Sequence, residues 1–206
     1  MVKVGIIGAT GYAGVELVRL LTAHPQAEIV AISSVSFEGK KLSDVYPNLL
    51  GICDKVLVNE DEVIEKSDVV FASLPHGLCE AIGQKCVDHG CKLIDLGADF
   101  RLEKEEDYTT WYDGLKYNKP ALHELSAYCI PELMRDDLKG KQIVGNPGCY
   151  PTSIALALAP ILKSGYAKCD HIIIDSKSGV TGAGRKLTQN THFPENNEAF
   201  SPYKVA

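Results

Sequence analysis

The chain has 206 residues, 45% hydrophobic and 23% charged, with a net charge of −6; that is one large domain, or one domain and part of another. The acidity, with no long run of Lys or Arg, excludes a nucleic-acid surface and leaves any anionic substrate to local basic residues. Cysteines stand at 53, 79, 86, 91, 129, 149 and 169. An odd number, no C-x-x-C and no His pair at ligand spacing argue against a disulfide framework or a metal site, and for a reduced cytoplasmic compartment.

Residues 1–8 have one Lys and a short apolar run ending in a glycine-rich turn, which is no signal peptide. No apolar span approaches the roughly 20 residues of a membrane helix. A soluble protein without membrane contact is expected.

Val2–Ile7 reads as a strand, Gly8–Gly14 as a loop, and Val15–Ala23 as a helix with Val15, Val18 and Leu21 on one face. His24-Pro25 stops that helix. Glu28–Ser33 is a second strand and Asp68–Leu74 a third, ended by Pro75-His76-Gly77. Leu78–Val87 follows as helix and Lys92–Leu96 as strand. Nearly continuous apolar strands alternating with helices predict a parallel sheet covered on both faces. Residues 101–141 are more polar and read as an excursion before the sheet resumes at Gln142–Val144. An apolar, alanine-rich helix, Ser153–Ala159, comes next. His171–Ser176 reads as a strand, a glycine-rich loop spans Ser178–Lys186, and Tyr203–Ala206 is strand-like. The fold expected is α/β: a Rossmann-type domain over 1–148, then the start of an α+β domain over 149–206 that stops before closing a core, as in a fragment.

Two features carry chemistry. Gly8-Ala9-Thr10-Gly11-Tyr12-Ala13-Gly14 is a G-x-x-G-x-x-G turn between strand and helix. Glycines there give the tight turn, the close approach to a pyrophosphate and the helix–sheet contact, and the helix start favours anions. An NAD-type site ends its second strand with an acid. Here that end is Ser33-Ser34, with Lys40 and Lys41 downstream, which suits a 2′-phosphate and hence NADP; the lysines read equally as a solvated loop.

The second feature is Gly145-Asn146-Pro147-Gly148-Cys149-Tyr150-Pro151-Thr152. It sets one cysteine after a strand and turn and before a helix, where the dipole and unpaired N–H groups favour a nucleophilic thiolate. An ordinary buried cysteine is the alternative. With a nicotinamide cofactor, such a thiolate would expel phosphate from an acyl phosphate and leave a thioester, which hydride reduces toward an aldehyde. Backbone N–H groups at Cys149 and the Asn146 amide are candidate oxyanion donors.

These stretches, together with Leu74–Gly77, Leu96–Arg101, Tyr128–Leu133 and Ser178–Arg185, resemble the N-acetyl-γ-glutamyl-phosphate reductases of arginine biosynthesis. Those enzymes are relatives of aspartate-semialdehyde dehydrogenases, which usually carry Asn rather than Gly before the cysteine. The resemblance implies an acyl-enzyme on Cys149, and Arg101 and Arg185 near anionic substrate groups, where guanidinium forks match carboxylate and phosphate. It implies Ser178, Gly179 and Gly182 lining the same site, and Pro75 and His76 in a cofactor loop. It also implies a small-molecule substrate with phosphate, and a homo-oligomer at full length. Arg101 as a structural ion pair, His76 as a surface histidine and 178–186 as a flexible turn are the competing readings. The family's histidine acid/base is expected just beyond Ala206. None of His24, His89, His123, His171 or His192 stands in its motif, so the chain is expected to bind cofactor weakly and not to turn over alone. Aspartate-semialdehyde dehydrogenase and a non-catalytic nucleotide-binding module are the rival functions.

Overall fold

The computed structural model of the chain describes residues 1–202. Seven strands form one wholly parallel sheet: β1 Val2–Ile7, β2 Ala27–Ser33, β3 Leu57–Val58, β4 Val69–Ala72, β5 Lys92–Asp95, β6 Ser126–Tyr128 and β7 Ile143–Gly145. Their order is β3-β2-β1-β4-β5-β7-β6. Connections from β1 run outward to β2 and β3, then return to β4 on the other side. The strand order therefore reverses between β1 and β4, where parallel α/β sheets open a crevice at their carboxyl ends.

Both faces of the sheet are covered, which is why the central strands are apolar on consecutive residues. Successive side chains of β1 alternate between faces. Val4 and Ile6 enter a cluster with Val18, Ile29, Ile32, Leu42, Leu49 and Leu57. Ile7 enters the opposite one with Val63, Val70, Ile82, Leu93, Phe100 and Ile143. The covering helices are α1 Tyr12–Thr22, α2 Glu60–Lys66 and α3 Cys79–His89, with α4 Glu105–Trp111 in the excursion and α5 Cys149–Lys163 beyond β7. Helix α3 stops at Gly90, whose left-handed backbone (φ 82°) closes the last turn.

The structure departs from the sequence-based elements at several points: β3 and α2 fall where no element was expected, α5 begins at Cys149 rather than Ser153, and three further differences stand out. Helix α1 starts at Tyr12, inside the stretch expected to be loop, because the glycine turn is tighter than its length implies. The 101–141 excursion contains β6, a three-residue edge strand paired parallel to β7, too short to leave a periodic signal. The strand expected at His171–Ser176 does not form. A strand needs a neighbour for its N–H and C=O groups, and Ile173 is 94% exposed with no strand beside it. Among the described residues no strand follows β7, so the α+β character expected after Cys149 is represented there by helix and loop alone. The strand expected at Tyr203–Ala206 lies outside the described residues.

Candidate functional site

The turn after β1 is built by backbone proximity. The Ala9 N–H donates to the Ser33 carbonyl at 2.9 Å and the Gly11 N–H to the Gly8 carbonyl at 3.1 Å. Gly8 has φ +81°, and a Cβ on it would lie 2.3 Å from the Ser73 carbonyl oxygen. A Cβ on Gly14 would lie 2.2 Å from the Gly8 oxygen and 2.8 Å from the Ala9 Cα. Larger residues are sterically barred, so α1 comes up tight against the loop. Its N-cap, Gly11, offers no side-chain cap, and no acid occupies the first turn around Tyr12 and Ala13. Open N–H groups at a helix start without a carboxylate are what a pyrophosphate requires. The residues present fit a dinucleotide.

At the carboxyl end of β2, Ser33 and Ser34 are buried, and Ser34 Oγ meets Thr10 Oγ1 at 2.6 Å. The Thr10 carbonyl accepts the Tyr46 hydroxyl at 2.9 Å and Arg185 Nη1 at 3.0 Å. The Arg185 guanidinium lies over the Phe37 and Tyr46 rings, 5.4 and 5.2 Å from their centroids. Phe37 and Tyr46 carry no sequence motif. Their part in the site comes only from the fold.

After β4, Pro75 and His76 are exposed, and His76 stands edge-on to Tyr112 at 5.0 Å. Asp99 ties this loop to the start of α3. It accepts the Gly77 and Cys79 N–H groups, each at 2.7 Å, and the Tyr108 hydroxyl at 2.8 Å. Burial pushes the Tyr108 phenol above its ordinary range, so it remains a donor. The motif Leu96–Arg101 flagged this stretch, but not the capping role of its acid.

Asp95 ends β5. Its Oδ1 accepts the Gly97 N–H at 2.7 Å, while Oδ2 is buried without a hydrogen-bond partner. Burial, opposed by the bonds from Cys79 and Gly97, raises its pKa above the usual carboxylate value. A raised folded-state pKa favours the protonated fold, so the contribution is present at low pH and is lost as pH rises through that value. Asp95→Asn is expected to change stability little near about pH 3, below the ordinary carboxylate value, and to gain on wild type near about pH 7. Urea unfolding at both values checks this; a variant that is less stable by the same amount at both would contradict it.

The turn after β7 carries the cysteine. The Asn146 N–H donates to the Asp95 carbonyl at 2.8 Å, and its Nδ2 to the Pro147 carbonyl at 2.9 Å. Arg101 braces this turn from below: Nε donates to the Asn146 carbonyl and Nη2 to the Leu96 carbonyl, both at 2.9 Å. A Cβ on Gly148 would sit 3.3 Å from Arg101 Nη1, so the guanidinium underlies the residue before the cysteine. Among the described residues it bonds backbone carbonyls and pairs with no carboxylate. Cys149 is the first residue of α5 and is exposed, whereas Cys53, Cys79, Cys86, Cys91 and Cys129 are buried. The ordinary buried-cysteine reading therefore does not hold. Gly148 caps α5 without a side-chain bond, so the thiol sits at the positive end of the helix.

Both turns open on the carboxyl edge of one sheet. Three strand spacings, about 14 Å, separate β1 from β7 across the reversal point. Gly8, Thr10, Gly11, Gly14, Ser33, Ser34 and Arg185 gather on the β1–β2 side. Arg101, Asn146 and Cys149 gather on the β5–β7 side. Ser178, Gly179 and Gly182 form an exposed turn of their own, in which Ser178 Oγ donates to the Gly179 carbonyl and the Gly182 N–H reaches the same carbonyl, each at 3.0 Å.

A parallel, reversing sheet with a glycine-rich pyrophosphate turn defines a dinucleotide-binding protein of the Rossmann type, here with an exposed cysteine at the edge of its crevice. Residues 3–141 match the family described as semialdehyde dehydrogenase, NAD binding domain, and residues 149–206 the semialdehyde dehydrogenase dimerisation domain. The chain belongs to the semialdehyde dehydrogenase family. It is 57% identical over its whole length to an N-acetyl-gamma-glutamyl-phosphate reductase of Clostridium botulinum (strain Eklund 17B / Type B), of which it covers 59%. It is 55% identical to the protein of that name from Brachyspira hyodysenteriae, of which it covers 60%. The chain thus spans about three-fifths of these relatives. Aspartate semialdehyde dehydrogenase with NADP from Candida albicans shares the fold at TM-score 0.57 and 21% identity, covering 80% of this chain and 47% of that one. No helix among the described residues is long and apolar enough to cross a membrane.

Proposed function

We propose that this chain is the cofactor-binding and nucleophile-bearing part of an NADPH-dependent reductase of N-acetyl-γ-glutamyl phosphate. One observation carries the reading: an exposed cysteine at an uncapped helix start opens on the same sheet edge as a pyrophosphate-type glycine turn. Kinship to reductases of that name over the whole chain supports the substrate. Residues 1–148 hold the dinucleotide in this reading, and 149–206 begin the substrate domain. Serines rather than an acid at the end of β2 support NADP over NAD.

In the forward reaction the Cys149 thiolate attacks the acyl carbon, phosphate leaves, and a thioester forms on Sγ. NADPH, when bound, supplies the hydride that reduces this thioester toward the semialdehyde. The Cys149 backbone N–H at the start of α5 and the second Nδ2 hydrogen of Asn146 stabilise the developing oxyanion in this reading. Arg101 holds Asn146 and the Gly148–Cys149 step in place through backbone carbonyls. Ser178, Gly179 and Gly182 line the substrate side through their amides. The match to a dimerisation domain supports a homo-oligomer, and exposed free thiols fit the reduced cytoplasm.

The test joins this chain to the remaining length its relatives carry. The protein is then assayed for NADP reduction with N-acetyl-glutamate semialdehyde or aspartate semialdehyde, each with phosphate. The N-acetylated substrate is expected to give the higher kcat/KM by about 100-fold or more. Preference for aspartate semialdehyde would overturn the assignment.

A further inference from the structure

We infer that Arg185, which comes from beyond the sheet, completes the binding site for the cofactor's 2′-phosphate. This rests on the NADP reading above and deepens it. The second strand ends in two serines, and the Ser34 hydroxyl is already engaged by Thr10. Hydroxyls alone leave a phosphate dianion without a counter-charge, so a cation has to come from elsewhere. The fold brings one from 175 residues away: Arg185 Nη1 bonds the Thr10 carbonyl, in the middle of the glycine turn.

The guanidinium is held in a way that leaves it usable. The Phe37 and Tyr46 rings lie against its Cζ, and Tyr46 is itself pinned by its hydroxyl to the same Thr10 oxygen. The ring contacts hold the group in place without consuming its N–H donors as hydrogen bonds to carbonyls or carboxylates would. One of five N–H donors goes to Thr10, leaving others for a planar, two-point contact with phosphate oxygens. Among the described residues no carboxylate pairs with Arg185, so no internal partner has to be displaced. Lys40 Nζ lies 5.7 Å from the Phe37 centroid and adds a second cation beside the same ring. Among the described residues, the hydrogen bond and ring contacts of Arg185 all lie on the cofactor-turn side. Its role is therefore recognition of the cofactor rather than of the acyl phosphate. A consequence is that NADP binding holds the 178–186 loop against the Gly8–Gly14 turn.

Adenosine 2′,5′-bisphosphate and 5′-AMP, which differ only in the 2′-phosphate, test this by isothermal titration calorimetry on the protein without substrate. Wild type is expected to prefer the bisphosphate. Arg185→Ala and Arg185→Gln should each weaken bisphosphate binding roughly 10- to 100-fold while leaving 5′-AMP unchanged. Arg185→Lys should recover part of the loss, having charge without the fork. Wild type that fails to discriminate between the two ligands would defeat the NADP reading itself. Discrimination that survives in Arg185→Ala would leave NADP standing and overturn the role of Arg185. Equal loss for both ligands would reduce Arg185 to a prop for the glycine turn and would also overturn it.

Discussion

Cys149→Ser, in the chain joined to its relatives' remaining length, is expected to lower phosphate-dependent NADP reduction by about 1,000-fold or more, with cofactor affinity unchanged. Serine keeps the size of the side chain and its place at the start of α5, so the fold and the turn braced by Arg101 persist. It loses the property the chemistry needs, since a hydroxyl is a far weaker nucleophile than a thiolate without a base to activate it. The exposed position of Cys149 makes the change cheap for stability, because surface substitutions usually stay within about 0.5 kcal/mol. Cys169, the other exposed cysteine, serves as the control: Cys169→Ser should leave the rate intact. A Cys149→Ser protein with rates near wild type would rule out the thioester route.

Gly14→Val is expected to weaken NADPH binding roughly 100-fold, measured by nucleotide fluorescence. The added Cβ would meet the Gly8 oxygen at 2.2 Å and the Ala9 Cα at 2.8 Å. Both are backbone atoms, so no side chain can swing aside to make room. Either α1 moves off the turn or the turn opens, and each displaces N–H groups aimed at the pyrophosphate. Losing two charge-assisted bonds at about 1.5 kcal/mol each gives the stated factor. Gly11 provides the contrast within the same motif. Its backbone is extended, with φ −72°, and an added Cβ meets nothing closer than 3.5 Å. Gly11→Ala should therefore leave the apo protein's thermal midpoint unchanged, whereas Gly14→Val should lower it. Equal destabilisation by both would mean that backbone freedom, and not the close approach at Gly14, governs the turn.

The parallel sheet was legible because its strands are apolar on consecutive residues and alternate with helices. The glycine turn was legible because Gly8 and Gly14 each answer a separate backbone demand. Cys149 could be set at a helix start from the Gly-Asn-Pro-Gly turn before it and the alanine-rich run after it. What escaped depends on partners distant in sequence. Edge strand β6 is three residues that pair only because β7 lies beside them. His171–Ser176 has the composition of a strand and remains unpaired, since β propensity expresses a fit to neighbours rather than a property of the segment. Asp99 was inside a recognised motif, yet its bonds to Gly77, Cys79 and Tyr108 arise from the way the loop after β5 meets the start of α3 and helix α4. The contacts of Arg185 with Thr10, Phe37 and Tyr46 follow from a fold-back no local pattern announces.

The measurement that bears most directly on the central claim is acid-quench trapping of the acyl-enzyme. The protein at its relatives' length is incubated with N-acetyl-glutamate semialdehyde and NADP without phosphate, quenched, digested and weighed peptide by peptide. Without phosphate the thioester has no acceptor of its own, so it should accumulate. The account predicts one N-acetylglutamyl group on the peptide containing Cys149, absent from Cys149→Ser and discharged when phosphate is added before the quench. Turnover with no acyl group on Cys149, or with the group on another residue, would contradict it.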